Sequence, residues 1–256
     1  MLTPITLELG GKSPVFIDKG LSEDMMNAAV REILETKVHK TGQFCCSHDY
    51  GLVHEAVYED FCGRLKAQIV ALGPRRHVPM IGRRQYADIK SKLDEAGAEC
   101  VPPLGGESVP NDEAMTIPMT ALLQPSFDKR VLTEEIFGPL FPVLKVSGVA
   151  EAIKIINRPV TCKPLIAYCY TEDSKLADAF VSSVPAGNIA VNGGPQRMIS
   201  NYACGFGGVG PSGSGVHMWG VDALREFSNR KHVMRARGGF AKSYFSGPPP
   251  ALPAKA

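Results

Sequence analysis

Short apolar runs alternate along this chain with stretches whose apolar residues recur every three or four positions. "PVFID" (14–18) is a continuous apolar run and reads as a buried strand. "LSEDMMNAAVREILETKVHK" (21–40) places Met26, Val30, Ile33 and Lys37 on one face. With Ser22 as a candidate N-cap and acidic residues in its first turn, it predicts an amphipathic helix. "YGLVHE" (50–55) predicts a strand, and Phe61, Leu65, Ile69 and Leu72 mark a second helix that stops at Gly73-Pro74. A third helix is predicted over 85–97, strands over 119–123 and 141–146, and a helix over 150–157. A strand (165–170), a helix (173–183) and a strand (188–192) follow. Such alternation means βαβ units, hence an α/β fold with a parallel-rich sheet flanked by helices. The first residues, "MLTPITLELGGKSP", read as a strand already under way. The domain is expected to span 1–240, and the Pro-rich tail 241–256 to be extended and poorly ordered.

Composition narrows the function classes. A chain of 256 residues suffices for one large domain or two small ones, and 44% hydrophobic with 21% charged residues is ordinary for a soluble globular protein. A formal charge of +2 gives no reason to expect nucleic acid or an anionic membrane surface as partner. No apolar run reaches the length of about 18 residues that a membrane span needs, and the N-terminus lacks the regions of a signal peptide. The seven cysteines (45, 46, 62, 100, 162, 169 and 204) are odd in number and scattered, with no C-x-x-C and no metal-ligand spacing with the histidines. Free thiols in a reducing, cytoplasmic setting are expected, and no metal site.

Two stretches carry candidate chemistry. "KTGQFCCSHDY" (40–50) holds two adjacent cysteines before a strand. Either one is a nucleophile or both are small core residues, since cysteine is among the most buried residue types. "YACGFGGVGPSGSG" (202–215) suggests a phosphate-cradling loop, but it lacks G-x-x-x-x-G-K-[ST] and the spacing of a dinucleotide fingerprint. Tight structural turns are the better reading of its glycines.

Three segments taken together, "LELGGKSP" (7–14), "GQFCC" (42–46) and "EEIFGP" (134–139), resemble the signature segments of the NAD(P)-dependent aldehyde dehydrogenase superfamily, in the same order. "FGGVGPSGSG" (206–215), "KPLIAY" (163–168) and "EFSNRK" (226–231) also resemble that family and lean toward its class 3, fatty-aldehyde branch. The resemblance implies oxidation of an aldehyde to a carboxylic acid with NAD or NADP. By it, Cys45 is the nucleophile and Cys46 a packing residue. Attack on the aldehyde carbon gives a thiohemiacetal whose oxyanion needs N–H donors; hydride loss leaves a thioester that water hydrolyses. Glu8 takes the role of general base for that water, against the plainer reading of an exposed strand-end charge. Glu135 and Phe137 fall where the family holds the nicotinamide ribose and packs beside the nicotinamide, although a buried loop turn would also explain them. Gly10 and Gly11 let the backbone approach the cofactor. Asn192 matches a site-facing asparagine, and capping a strand end is equally open.

The family's Rossmann-type cofactor domain precedes the segment with which this chain begins. Weak or absent NAD(P) binding is therefore expected here, together with self-association of a face that domain would cover. A catalytic domain of an aldehyde dehydrogenase is the leading reading. A pseudoenzyme or interaction module that keeps the fold, with at most cofactor-independent esterase activity, is the alternative.

Overall fold

The computed structural model describes residues 5–73, 78–102, 109–196 and 201–235, so the expectation for the C-terminal tail lies outside the described residues. Seven strands form one sheet: β1 (Pro14–Ile17), β2 (Tyr50–His54), β3 (Glu99–Val101), β4 (Thr120–Leu123), β5 (Leu140–Val146), β6 (Ile166–Tyr170) and β7 (Asn188–Val191). Their spatial order is β3-β4-β5-β2-β1-β6-β7. Every neighbouring pair is parallel except β3 with β4.

The central strands are apolar on both faces because helices cover both. Val15 and Ile17 of β1 pack with α1 (Glu23–Val38) and α2 (Tyr58–Leu72), whose Met26, Val30, Ile33, Phe61, Leu65 and Ile69 are buried there. Phe16, between them in sequence, points the other way. It meets the layer of α3 (Arg83–Glu95), α4 (Arg130–Thr133), α5 (Val149–Ile156) and α6 (Ser174–Ser183).

The alternation read from the pattern is present, with boundaries shifted by one or two residues. Ser22 does precede α1, but its side chain makes no cap bond; Asp173 caps α6 by accepting from Lys175 N and Leu176 N. Residues 5–9 do not form a regular strand: Glu8 makes one antiparallel bridge, to Gly213. The periodicity also gives no sign of β3, α4, the hairpin of β8 (Phe206–Gly208) and β9 (Gly215–Met218), or α7 (Gly220–Glu226). These are three to seven residues long, too short for a period to show. The hairpin explains the glycine-rich stretch. A Cβ on Gly207 would lie 1.9 Å from the Gly215 carbonyl oxygen, so two backbones meet where side chains cannot fit.

Candidate active site

The three motif segments lead directly into three adjacent strands. Residues 7–13 run into β1, 42–49 into β2 and 134–139 into β5, and β5, β2 and β1 lie side by side and parallel. Pro14 pairs with Tyr50 and Gly51 with Val143, so the segments arrive at one edge of the sheet, the amino ends of its strands. Asp49 N donates to Ser13 O at 2.8 Å, carrying the pairing one step beyond the strands. Cys45 and Glu8 are 37 positions apart, yet Cys45 Sγ lies 3.9 Å from Glu8 Oε1.

The segment that carries Cys45 leaves α1 through three consecutive left-handed residues, Lys40, Thr41 and Gly42. Two of these are not glycine, a strain that persists only where surrounding contacts over-determine it. Thr41 Oγ1 donates to Val78 O, and Lys37 Nζ, fully buried on α1, donates to Gly138 O at 3.2 Å. A Cβ on Gly42 would sit 2.3 Å from that same Gly138 oxygen. The turn that aims Cys45 is thus packed backbone to backbone on the "EEIFGP" segment. Burial lowers the Lys37 pKa to about 8.

Cys45 is half-buried and Cys46 buried, with their sulfurs 3.8 Å apart. The Cys46 thiol beside it lowers the Cys45 pKa and outweighs the opposing effects of burial and the Glu8 carboxylate. Cys46 itself is pushed far up by the same contact and by desolvation. Glu8 is exposed, on a segment tied to the glycine-rich loop through Leu9 N to Ser212 O at 2.9 Å and Ser214 N to Leu7 O at 3.0 Å.

The missing side chain of Gly10 admits the Glu135 carboxylate, whose Oε1 would lie 2.3 Å from a Cβ there. Desolvation raises the Glu135 pKa, and the Gly11 amide works against it. Beside it Phe137, also left-handed at φ 51°, is 42% exposed. Underneath lies a buried ion pair of Lys12 with Asp49. Lys12 Nζ also donates to Val131 O at 2.9 Å and Glu134 O at 2.8 Å, while Asp49 Oδ1 accepts from Ile136 N at 2.9 Å. One charge pair therefore joins all three motif segments. Asn192 takes the capping alternative: its carboxamide accepts from Thr171 N at 2.9 Å and donates to Thr171 O at 2.8 Å, at the end of β6.

Comparison with known proteins places the chain in a family. A model of the Aldehyde dehydrogenase family matches residues 1–233. The chain belongs to the aldehyde dehydrogenase family. It is 33% identical, over 91% of its length, to a probable coniferyl aldehyde dehydrogenase of Caulobacter vibrioides, and covers 49% of that protein. It is 34% identical, over 84% of its length, to aldehyde dehydrogenase family 3 member A2 of Rattus norvegicus, of which it covers 43%. Among solved structures, the substrate-bound state of Staphylococcus aureus AldH superposes with a TM-score of 0.80 at 29% identity, over 92% of this chain and 51% of that one. The chain spans about half the length of the curated aldehyde dehydrogenases it matches.

Sequence reasoning overlooked the groups that hold these three segments together. Lys12 stands inside "LELGGKSP" and Asp49 just after "GQFCC", so both were in view, but neither carried a sign of its partner. The one available signal was a lysine and an aspartate each adjoining a buried strand, where charge survives only when paired. Lys37, placed on the apolar face of α1, carried the same signal.

Proposed function

We propose that this chain is the catalytic half of an NAD(P)-dependent aldehyde dehydrogenase, in which Cys45 attacks the aldehyde and Glu8 serves the later hydrolysis. The observation that carries the reading is the 3.9 Å approach of Cys45 Sγ to Glu8 Oε1 across 37 positions. A lowered pKa supplies thiolate, which is the attacking form. The thiolate adds to the carbonyl carbon, and the oxyanion that forms needs N–H donors. Once that thiohemiacetal adduct has given up its hydride it is a thioester on Cys45, which is cleaved by a water whose proton goes to Glu8.

The residues at the amino edge fit the nicotinamide-ribose end of a dinucleotide. Glu135 presents carboxylate oxygens that can accept from sugar hydroxyls, and Phe137 an exposed ring against which a flat heterocycle can pack. When bound, the nicotinamide supplies the hydride acceptor. We further infer that exposed Leu7, Leu9 and Phe137 make the isolated chain self-associate, which light scattering reads directly. The free cysteines suit a reducing, cytoplasmic setting.

Turnover of p-nitrophenyl acetate tests the Cys45–Glu8 pair without cofactor. Cys45→Ala is expected to abolish acyl transfer. Glu8→Gln is expected to release nitrophenolate once and hold the acetyl group on Cys45, with deacylation slowed by about a hundredfold. Acetyl found on another residue, or wild-type turnover by Glu8→Gln, overturns the assignment.

A further inference from the structure

Cys46 was expected only to pack, and its position gives it more to do. It is 1% exposed, its sulfur is 3.8 Å from that of Cys45, and its carbonyl oxygen accepts from Tyr168 Oη at 2.6 Å. Tyr168 is itself fully buried and packed at a tilt against His48, with ring centroids 4.0 Å apart. The Cys46 backbone is thereby anchored from β6, and its side chain faces the half-exposed sulfur next to it.

We propose that Cys46 is a positioning residue whose thiol donates its hydrogen to Cys45 Sγ, holding the nucleophile as a thiolate beside a carboxylate that repels it. The proposal rests on the reading of Cys45 as nucleophile. The charges facing Cys45 make such a donor necessary. Glu8 Oε1 approaches at 3.9 Å, and Glu135 acts from the neighbouring segment; both are acidic and disfavour a second negative charge. What favours the thiolate against them is first the Cys46 thiol and then the Cys45 backbone amide. The contact with Cys45 and then desolvation keep Cys46 protonated, so the hydrogen stays on the donor over the range in which Cys45 ionises. A packing residue such as alanine or valine would fill the same space without a hydrogen to give.

The pH dependence of iodoacetamide labelling at Cys45, mapped by peptide, separates positioning from packing. In Cys46→Ala the inflection is expected to move up by about one unit, so that labelling near neutrality falls about tenfold while the high-pH plateau is unchanged. Cys46→Ser keeps a donor and is expected to restore the wild-type profile. An unchanged inflection in Cys46→Ala overturns the proposal, as does a Cys46→Ser profile that matches the alanine variant. Should Cys45 in the wild-type chain label no faster than Cys62 and Cys169, the nucleophile reading fails first, and by a different measurement.

Discussion

The carboxylate of Glu135 lies in the space that a side chain on Gly10 would fill: a Cβ there would stand 2.3 Å from Oε1. Gly42 shows the same distance to a different kind of atom, the backbone oxygen of Gly138, and adds a φ of +71°. A carboxylate can rotate away, whereas a packed backbone cannot. Gly10→Ala should therefore shift urea stability by less than about 1 kcal/mol while displacing Glu135, and Gly42→Ala should cost more than about 2 kcal/mol. Equal losses in the two variants would show that Glu135 is fixed as firmly as the main chain.

Lys12 and Asp49 are both nearly fully buried, at 3% and 4% side-chain exposure. Removing one leaves the other charge unpaired in the core. Lys12→Met and Asp49→Asn are each expected to destabilise by about 3 kcal/mol or more, and the double variant by clearly less than their sum. Additive losses in a denaturant double-mutant cycle would mean that the two charges act independently.

His217 should make one contact pH-dependent. Its Nδ1 lies 2.7 Å from Glu226 Oε2 and its Nε2 2.8 Å from Ser214 O, so both ring nitrogens face acceptors and the imidazolium is favoured. The Ser214 carbonyl and then Glu226 raise its pKa. A raised native value means a stabilisation that is complete below the ordinary histidine pKa of about 6.5 and is lost as pH rises through the native one. Glu226 also accepts from Thr6, and Ser214 pairs with Leu7, so the affected contact is the mooring of the Glu8 segment. Intrinsic-rate-corrected exchange protection of the Leu9 and Ser214 amides should fall as pH rises from below about 6.5 through the raised native value, and His217→Gln should remove the dependence. Constant protection in the wild type would contradict it.

Calorimetry of the isolated chain with NAD should show no binding tighter than roughly millimolar. At the amino edge of a parallel sheet, crossover helices such as α1 finish rather than begin, offering carbonyls instead of the N–H groups that hold phosphate. The described site adds the carboxylates of Glu8 and Glu135. Micromolar binding would show that the chain holds the pyrophosphate by other means.

The sheet and the Cys45–Glu8 pair were legible because long apolar runs and fixed motifs survive in one dimension. β1, β2 and β5 announce themselves as continuous apolar stretches, and each motif adjoins one of them. The Lys12–Asp49 pair, the packing of Gly42 on Gly138 and the Cys46 thiol were not legible. Each depends on a partner delivered by strand order, and β5 lying against β2 is no property of either segment alone. Asn192 shows the converse: two readings fitted the sequence, and the bonds to Thr171 are those of the strand-end cap.

The pairing of Pro14 with Tyr50 sets a length as well as a topology. Glu8 and Cys45 each stand only a few residues before the first paired position of their strands, and Ser13 and Asp49 are joined across the gap. One residue of parallel strand advances about 3.3 Å, nearly the whole of their 3.9 Å separation. An insertion or deletion in either short lead-in could leave the ladder, the helices and the melting behaviour intact while carrying the two side chains out of each other's reach. The hydrogen-bonded ladder thus acts as a gauge for the distance between Cys45 and Glu8, and a chain can lose that contact by miscounting one residue without losing its fold.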